Sequence, residues 1–130
     1  MRASSVKEYQ ERINRVCAYI QEHLGEPLRL EELAACACFS PFHFHRIFLA
    51  HTGETLNAHI RRLRLERAAL HLCHSRKPVT EIALDAGYET PSAFNKAFAQ
   101  HFQCTPTHFR KTQNVYLLLQ QQKMIVQPRK

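Results

Sequence analysis

The chain repeats itself at a spacing of fifty residues. "SPFHFHRIFLAH" (40–51) lies over "TPSAFNKAFAQH" (90–101) with Ser/Thr, Pro, Phe, Arg/Lys, Phe and His in register. Just upstream, "LAACACF" (33–39) matches "IALDAGY" (82–88) at forty-nine, and one inserted residue in the second turn accounts for the difference. Each copy reads as a short helix, a tight turn and a longer helix, which is the helix-turn-helix unit. Matched caps, turns and apolar positions argue against chance likeness between two helical hairpins.

Only three glycines occur, and apolar residues recur at three and four, so the expected class is all-α. A first helix is expected from about Val6 to Leu24, with Ile13, Val16, Cys17, Ile20 and Leu24 on one face. Ser5 and Glu8 fit a capping box at its start, and Gly25 and Pro27 stop it. A short helix follows near Leu30 to Cys36, with Leu30, Leu33 and Ala34 inward and Arg29, a poor N-cap, before it. Ser40-Pro41, Thr90-Pro91 and Thr105-Pro106 each announce a helix, with a capping hydroxyl and then proline at the first helical position. These helices cover about 41 to 51, 91 to 101 and 106 to 112. A long helix from about Thr55 to His74 has Leu56, Ile60, Leu63, Arg67 and Leu70 spaced along one side. Another short helix, Val79 to Asp85, precedes Gly87. The tail "TQNVYLLLQQQKMIVQPRK" has no clear period. It either packs on the last helix or begins a linker to a further domain.

On a wheel, the second helix of each copy is two-faced. Phe44, Ile47, Phe48 and His51 form one buried stripe, and Phe42, His45, Arg46 and Leu49 lie opposite. Phe94, Ala97, Phe98 and His101 repeat the buried stripe, with Ser92, Asn95, Lys96 and Ala99 outward. Arg46, His45, Ser92, Asn95 and Lys96 carry groups able to read base edges, and Phe42 and Leu49 suit thymine methyls. An ordinary solvated face is the alternative, and an outward Phe and Leu beside an Arg fit it less well. Eighteen Lys and Arg against eleven Asp and Glu give a net charge of +7, which points to a polyanionic partner such as nucleic acid.

"CACFSPFHFH" (36–45) holds C-x-C and H-x-H and suggests a metal- or thiol-sensing regulator using Cys36, Cys38 and nearby His. On a helix, however, His43 and His45 point about 200° apart, whereas a helical chelate needs i, i+4 spacing. No second Cys pair has zinc spacing. The expectation is therefore no metal and no cofactor. Five cysteines without framework spacing, and no signal peptide or membrane span, read as a cytoplasmic chain with reduced thiols. No glycine-rich phosphate loop or nucleophile motif points to an enzyme.

The ordered set "LEELA", "FSPFHFHRIF", "TGETL..HIRRLRLERAALHL", "EIALDAGY", "FNKAF" and "CTPTHFRK" resembles the AraC/XylS family of bacterial transcription regulators, over roughly Ile13 to Lys111. The resemblance implies about seven helices in two helix-turn-helix subdomains joined by the long central helix. The expected divisions are 1–54, the linker helix 55–74, 75–112, and a tail over 113–130. It also implies a double-stranded DNA operator and RNA polymerase as partners, action as an activator, and competence to bind DNA as a monomer. Both recognition helices would enter successive major-groove segments. Twenty helical residues span about 30 Å, close to the roughly 34 Å between adjacent groove turns.

Carried onto this chain, the family's base contacts fall at Phe42, His45, Arg46 and Leu49 in the first helix and at Ser92, Asn95 and Lys96 in the second. Phosphate contacts fall at Ser40, Arg61, Arg62, Thr90, Thr107 and Lys111, while Arg64 and Arg67 serve packing and ion pairs. "SPFHFHRIF" is most similar to the branch whose DNA-binding half is followed by a gyrase-inhibitor-like effector-binding domain, which would begin after the tail. One departure stands out. Cys38 sits in the first turn where the family usually has glycine, and a left-handed backbone there costs about 1–2 kcal/mol.

Overall fold

The computed structural model describes residues 3–112 of the chain. Its helices are α1 (Ala3–Glu22), α2 (Leu30–Cys36), α3 (Pro41–Thr52), α4 (Leu56–His74), α5 (Val79–Asp85) and α6 (Pro91–Phe102), followed by α7 over 106–112. The described residues contain no strand, so the fold is all-α as expected. The tail 113–130, with its two readings, lies outside the described residues.

The chain divides into two compact units that part within α4, after Arg64. In the first, Ile13, Val16 and Ile20 of α1 pack with Leu33 and Ala34 of α2, Phe44 and Phe48 of α3, and Leu56, Ile60 and Leu63 of α4. In the second, Leu65, Ala68, Ala69 and Leu72 of α4 pack with Ile82 and Ala83 of α5 and Phe94 and Phe98 of α6. The inward phenylalanines of the repeat thus anchor equivalent helices. Phe44 and Phe48 stand 5.6 Å apart between ring centroids, as do Phe94 and Phe98.

The two α4 sets fall on different stripes of the helix at about 100° per residue. One expectation fails for that reason. Leu70 continues the stripe of Leu56, Ile60 and Leu63, yet it is 61% exposed, because the second half of α4 buries another side.

Three further boundaries and faces depart from expectation. α1 begins at Ala3, so Ser5 lies inside its first turn and is not the N-cap. Ala3 is the strongest of helix formers, which lets the helix start earlier. α1 also ends at Glu22, before Gly25. The His23 ring Nδ1–H takes the Tyr19 carbonyl at 2.8 Å, and the His23 backbone N–H turns to Ile20 O at 3.1 Å. A side chain has captured the carbonyl that the next helical bond needed. His101 is exposed and not inward. Its ring stands edge-on to Phe102 at 4.6 Å, and Phe102 instead packs against Phe98 at 4.5 Å.

The turns of the two units have the same hydrogen bonds. Phe39 N–H reaches Ala34 O at 2.9 Å and Cys38 N–H reaches Ala35 O at 3.0 Å; Tyr88 and Gly87 repeat this on Ala83 and Leu84. This is the Schellman ending, which requires a left-handed residue after the cap. Gly87 supplies it with φ +93°, and Cys38 adopts it with φ +63°, as the sequence led us to expect. The next helix ends reverse the roles, with Gly53 at +83° after α3 and Gln103 at +60° after α6. Each unit therefore carries one strained non-glycine position.

Cys38→Gly should stabilise the first unit by roughly 0.5–1 kcal/mol. It relieves about 1–2 kcal/mol of left-handed strain and adds about 0.5–1 kcal/mol of unfolded-chain entropy. The urea midpoint should rise with the slope unchanged; an unmoved or lower midpoint would show that the turn carries no strain.

Candidate nucleic-acid interface

Both longer helices of the repeat begin as their sequences dictate. Ser40 Oγ accepts from His43 N–H at 3.3 Å, and Thr90 Oγ1 accepts from Ala93 N–H at 3.0 Å. Proline follows each cap. Neither α3 nor α6 contains an acidic residue, so no carboxylate within either helix offsets the positive end of its dipole.

Phe42, His45, Arg46 and Leu49 of α3 are all exposed, Phe42 at 74% and Leu49 at 43%. Phe42 is the most exposed large apolar side chain among the described residues. The Arg46 guanidinium lies over the Phe42 ring, 5.8 Å from its centroid. On α6, Ser92, Asn95 and Lys96 are exposed as well, while Ala99, expected outward, is half-buried. Each unit thus brings its own candidates together on one outer helix face.

The candidates for phosphate contact divide. Arg61, Thr107 and Lys111 are exposed, as are the caps Ser40 and Thr90. Each cap hydroxyl accepts from a backbone N–H and still has its own proton to donate. Arg62 is half-buried, and its Nη2 donates to Glu54 Oε2 at 2.8 Å in an ion pair beside the α3–α4 turn. Arg64 packs as expected, donating to Leu24 O at 3.0 Å and Glu26 O at 2.8 Å. Thr107 does not cap α7; Thr105 does, accepting from His108 N–H at 3.2 Å.

Two supporting groups escaped the sequence reading. Arg110 donates to Leu72 O at 2.9 Å, Ser75 O at 3.3 Å and Lys77 O at 2.7 Å. It closes the end of α4, where no glycine offers a left-handed cap. The signal available was that missing glycine, because orphan carbonyls at a helix end need some donor. The second group is Glu54, which also accepts from buried His59 Nδ1–H at 2.9 Å. His59 stands edge-on to Phe48 at 5.1 Å, as Phe109 stands to Phe98 at 5.3 Å. His59 therefore fills an aromatic core position, and its Nε2 is buried without a partner.

The Arg62 hydrogen bond, aided by His59, holds the Glu54 carboxyl below its ordinary range against the opposing pull of burial. The native state then binds fewer protons than the unfolded chain, so this contribution is complete above the ordinary carboxylate value. It is lost as pH falls through the lowered one. The stability difference between the native chain and Glu54→Gln should shrink as pH drops from roughly 6 to 3. A constant difference across that range would remove the ion pair from the account. The effect is modest because the pair is partly solvated.

The metal- or thiol-sensing alternative gains no support. No three His, Cys, Asp or Glu side chains among the described residues are grouped to hold an ion. Burial raises the Cys17 thiol pKa and that of Cys73, which disfavours the reactive thiolate.

A family model described as a helix-turn-helix domain matches residues 33–112. Regulatory protein SoxS of Escherichia coli K12 is 33% identical over 102 residues, covering 78% of this chain and 95% of SoxS. The chain belongs to the AraC-type helix-turn-helix family of DNA-binding transcription regulators. Another relative, regulatory protein PocR of Salmonella typhimurium LT2, is 34% identical over 106 residues, covering 82% of this chain and 35% of PocR. The chain thus spans about a third of PocR and nearly all of SoxS. The DNA-binding domain of AdpA, solved in complex with a target DNA, superposes with a TM-score of 0.71 at 26% identity, covering 91% of this chain and 97% of that one. Both SoxS and PocR are regulatory proteins. Among the described residues, no single helix is long and apolar enough to cross a membrane.

Proposed function

We propose that this AraC-type domain recognises a double-stranded operator by placing α3 and α6 in successive major-groove segments, and that it acts as a transcription activator. The observation that carries this reading is the pair of outer helix faces, which repeat at a spacing of fifty and carry base-reading side chains on capped, acid-free helices. Arg46, His45 and Leu49 read the first segment, with Phe42 beside Arg46 on the same face, and Ser92, Asn95 and Lys96 read the second. Ser40, Thr90, Arg61, Thr107 and Lys111 hold phosphates. The two-unit chain binds as a monomer in the cytoplasm and engages RNA polymerase. The "SPFHFHRIF" stretch is most similar to the branch whose regulators carry an effector-binding domain.

Lys96 tests the division of labour. Lys96→Ala should weaken binding to the selected duplex more than to a scrambled one. An equal loss on both, with the slope of log K against log salt reduced by about 1, would make Lys96 a phosphate contact instead, and unchanged affinity for both would take α6 out of the interface.

A further inference from the structure

We propose that Phe42 is a positioning residue for base readout, holding the Arg46 guanidinium on the outer face of α3 before DNA arrives. The inference rests on the docking of α3 proposed above. Phe42 is 74% exposed, so the core does not account for a phenyl ring there. It stands one turn before Arg46, and residues at i and i+4 share a helix face. The guanidinium carbon lies 5.8 Å from the ring centroid, within cation–π range.

A free arginine side chain loses much rotamer freedom when it is fixed at an interface. A guanidinium already resting on a ring has lost part of that freedom in advance. Resting on the ring leaves its N–H edge free, and that edge is what a bidentate contact to guanine O6 and N7 requires. The second unit lacks the device. Its equivalent positions hold Ser92 and Lys96, a side chain without a π-face and a flexible point charge. The first helix therefore discriminates its base pair more sharply than the second.

The experiment uses the duplex that this chain enriches from random DNA, with binding read by fluorescence anisotropy. Native chain, Phe42→Ala, Arg46→Ala and the double variant form a cycle. Phe42→Ala should weaken binding about threefold and blunt discrimination at the base pair that Arg46 reads. In the Arg46→Ala background it should add almost nothing. Phe42→Tyr, which keeps the π-face, should bind as the native chain does. Phe42→Leu, which keeps apolar bulk alone, should behave like Phe42→Ala. Additive losses in the cycle, or full affinity of Phe42→Leu, would overturn the proposal and leave Phe42 as a contact in its own right. If Arg46→Ala alone left affinity unchanged, the docking of α3 would fall, and this proposal with it.

Discussion

Phe48→Ala is expected to unfold the first unit while leaving the second folded. Phe48 is fully buried and packs its ring against Phe44 and His59. Truncating such a ring costs about 3–5 kcal/mol, the transfer loss plus the cavity left behind. A core in a unit of this size supplies only about 3–5 kcal/mol in total, so one substitution is enough. The second unit has its own buried cluster, which the change does not touch. Hydrogen exchange should show protection lost in α1 to α3 and kept in α5 and α6. Phe98→Ala should give the mirror result. Loss of protection across all seven helices from either change would mean that the two clusters fold as one cooperative body.

Arg46→Ala is the second large effect. It should cost about 1–3 kcal/mol, roughly 5- to 150-fold in affinity, and relax preference at a single base pair. Arg46 is exposed and makes its cation–π contact with a side chain equally outside the core, so stability should not move. Titrating the variant against duplexes that differ at one position each separates this outcome from loss of a mere phosphate contact. A phosphate contact would lower affinity for every duplex alike.

What could be read from the sequence was what local chemistry governs. Ser40-Pro41 and Thr90-Pro91 announced helix starts because a hydroxyl and a proline each suit one position there. Phe44, Phe48, Phe94 and Phe98 were legible as anchors because each helix has one buried stripe. Cys38 was legible as a left-handed residue because its partner in the repeat is a glycine. The misses came from tertiary causes. Leu70 was misplaced because α4 serves two cores, and a single periodic stripe cannot describe it. The true end of α1 depended on a side chain, His23, taking a carbonyl. Arg110 and Glu54 act on groups distant in sequence or on loop backbone, and periodicity carries no trace of such bonds. The outward face of α3 stood out because an exposed Phe and Leu break the usual pattern of a solvated helix. That of α6 rested on the repeat alone.

The most direct measurement is selection of bound sites from random double-stranded DNA by this chain. Two recognition faces on one polypeptide predict an enriched site with two short boxes, their centres about one helical turn or 10–10.5 base pairs apart, the better defined box belonging to α3. Enrichment of a single box, or no enrichment above the salt-dependent hold that a net charge of +7 gives on any duplex, would contradict the two-helix account.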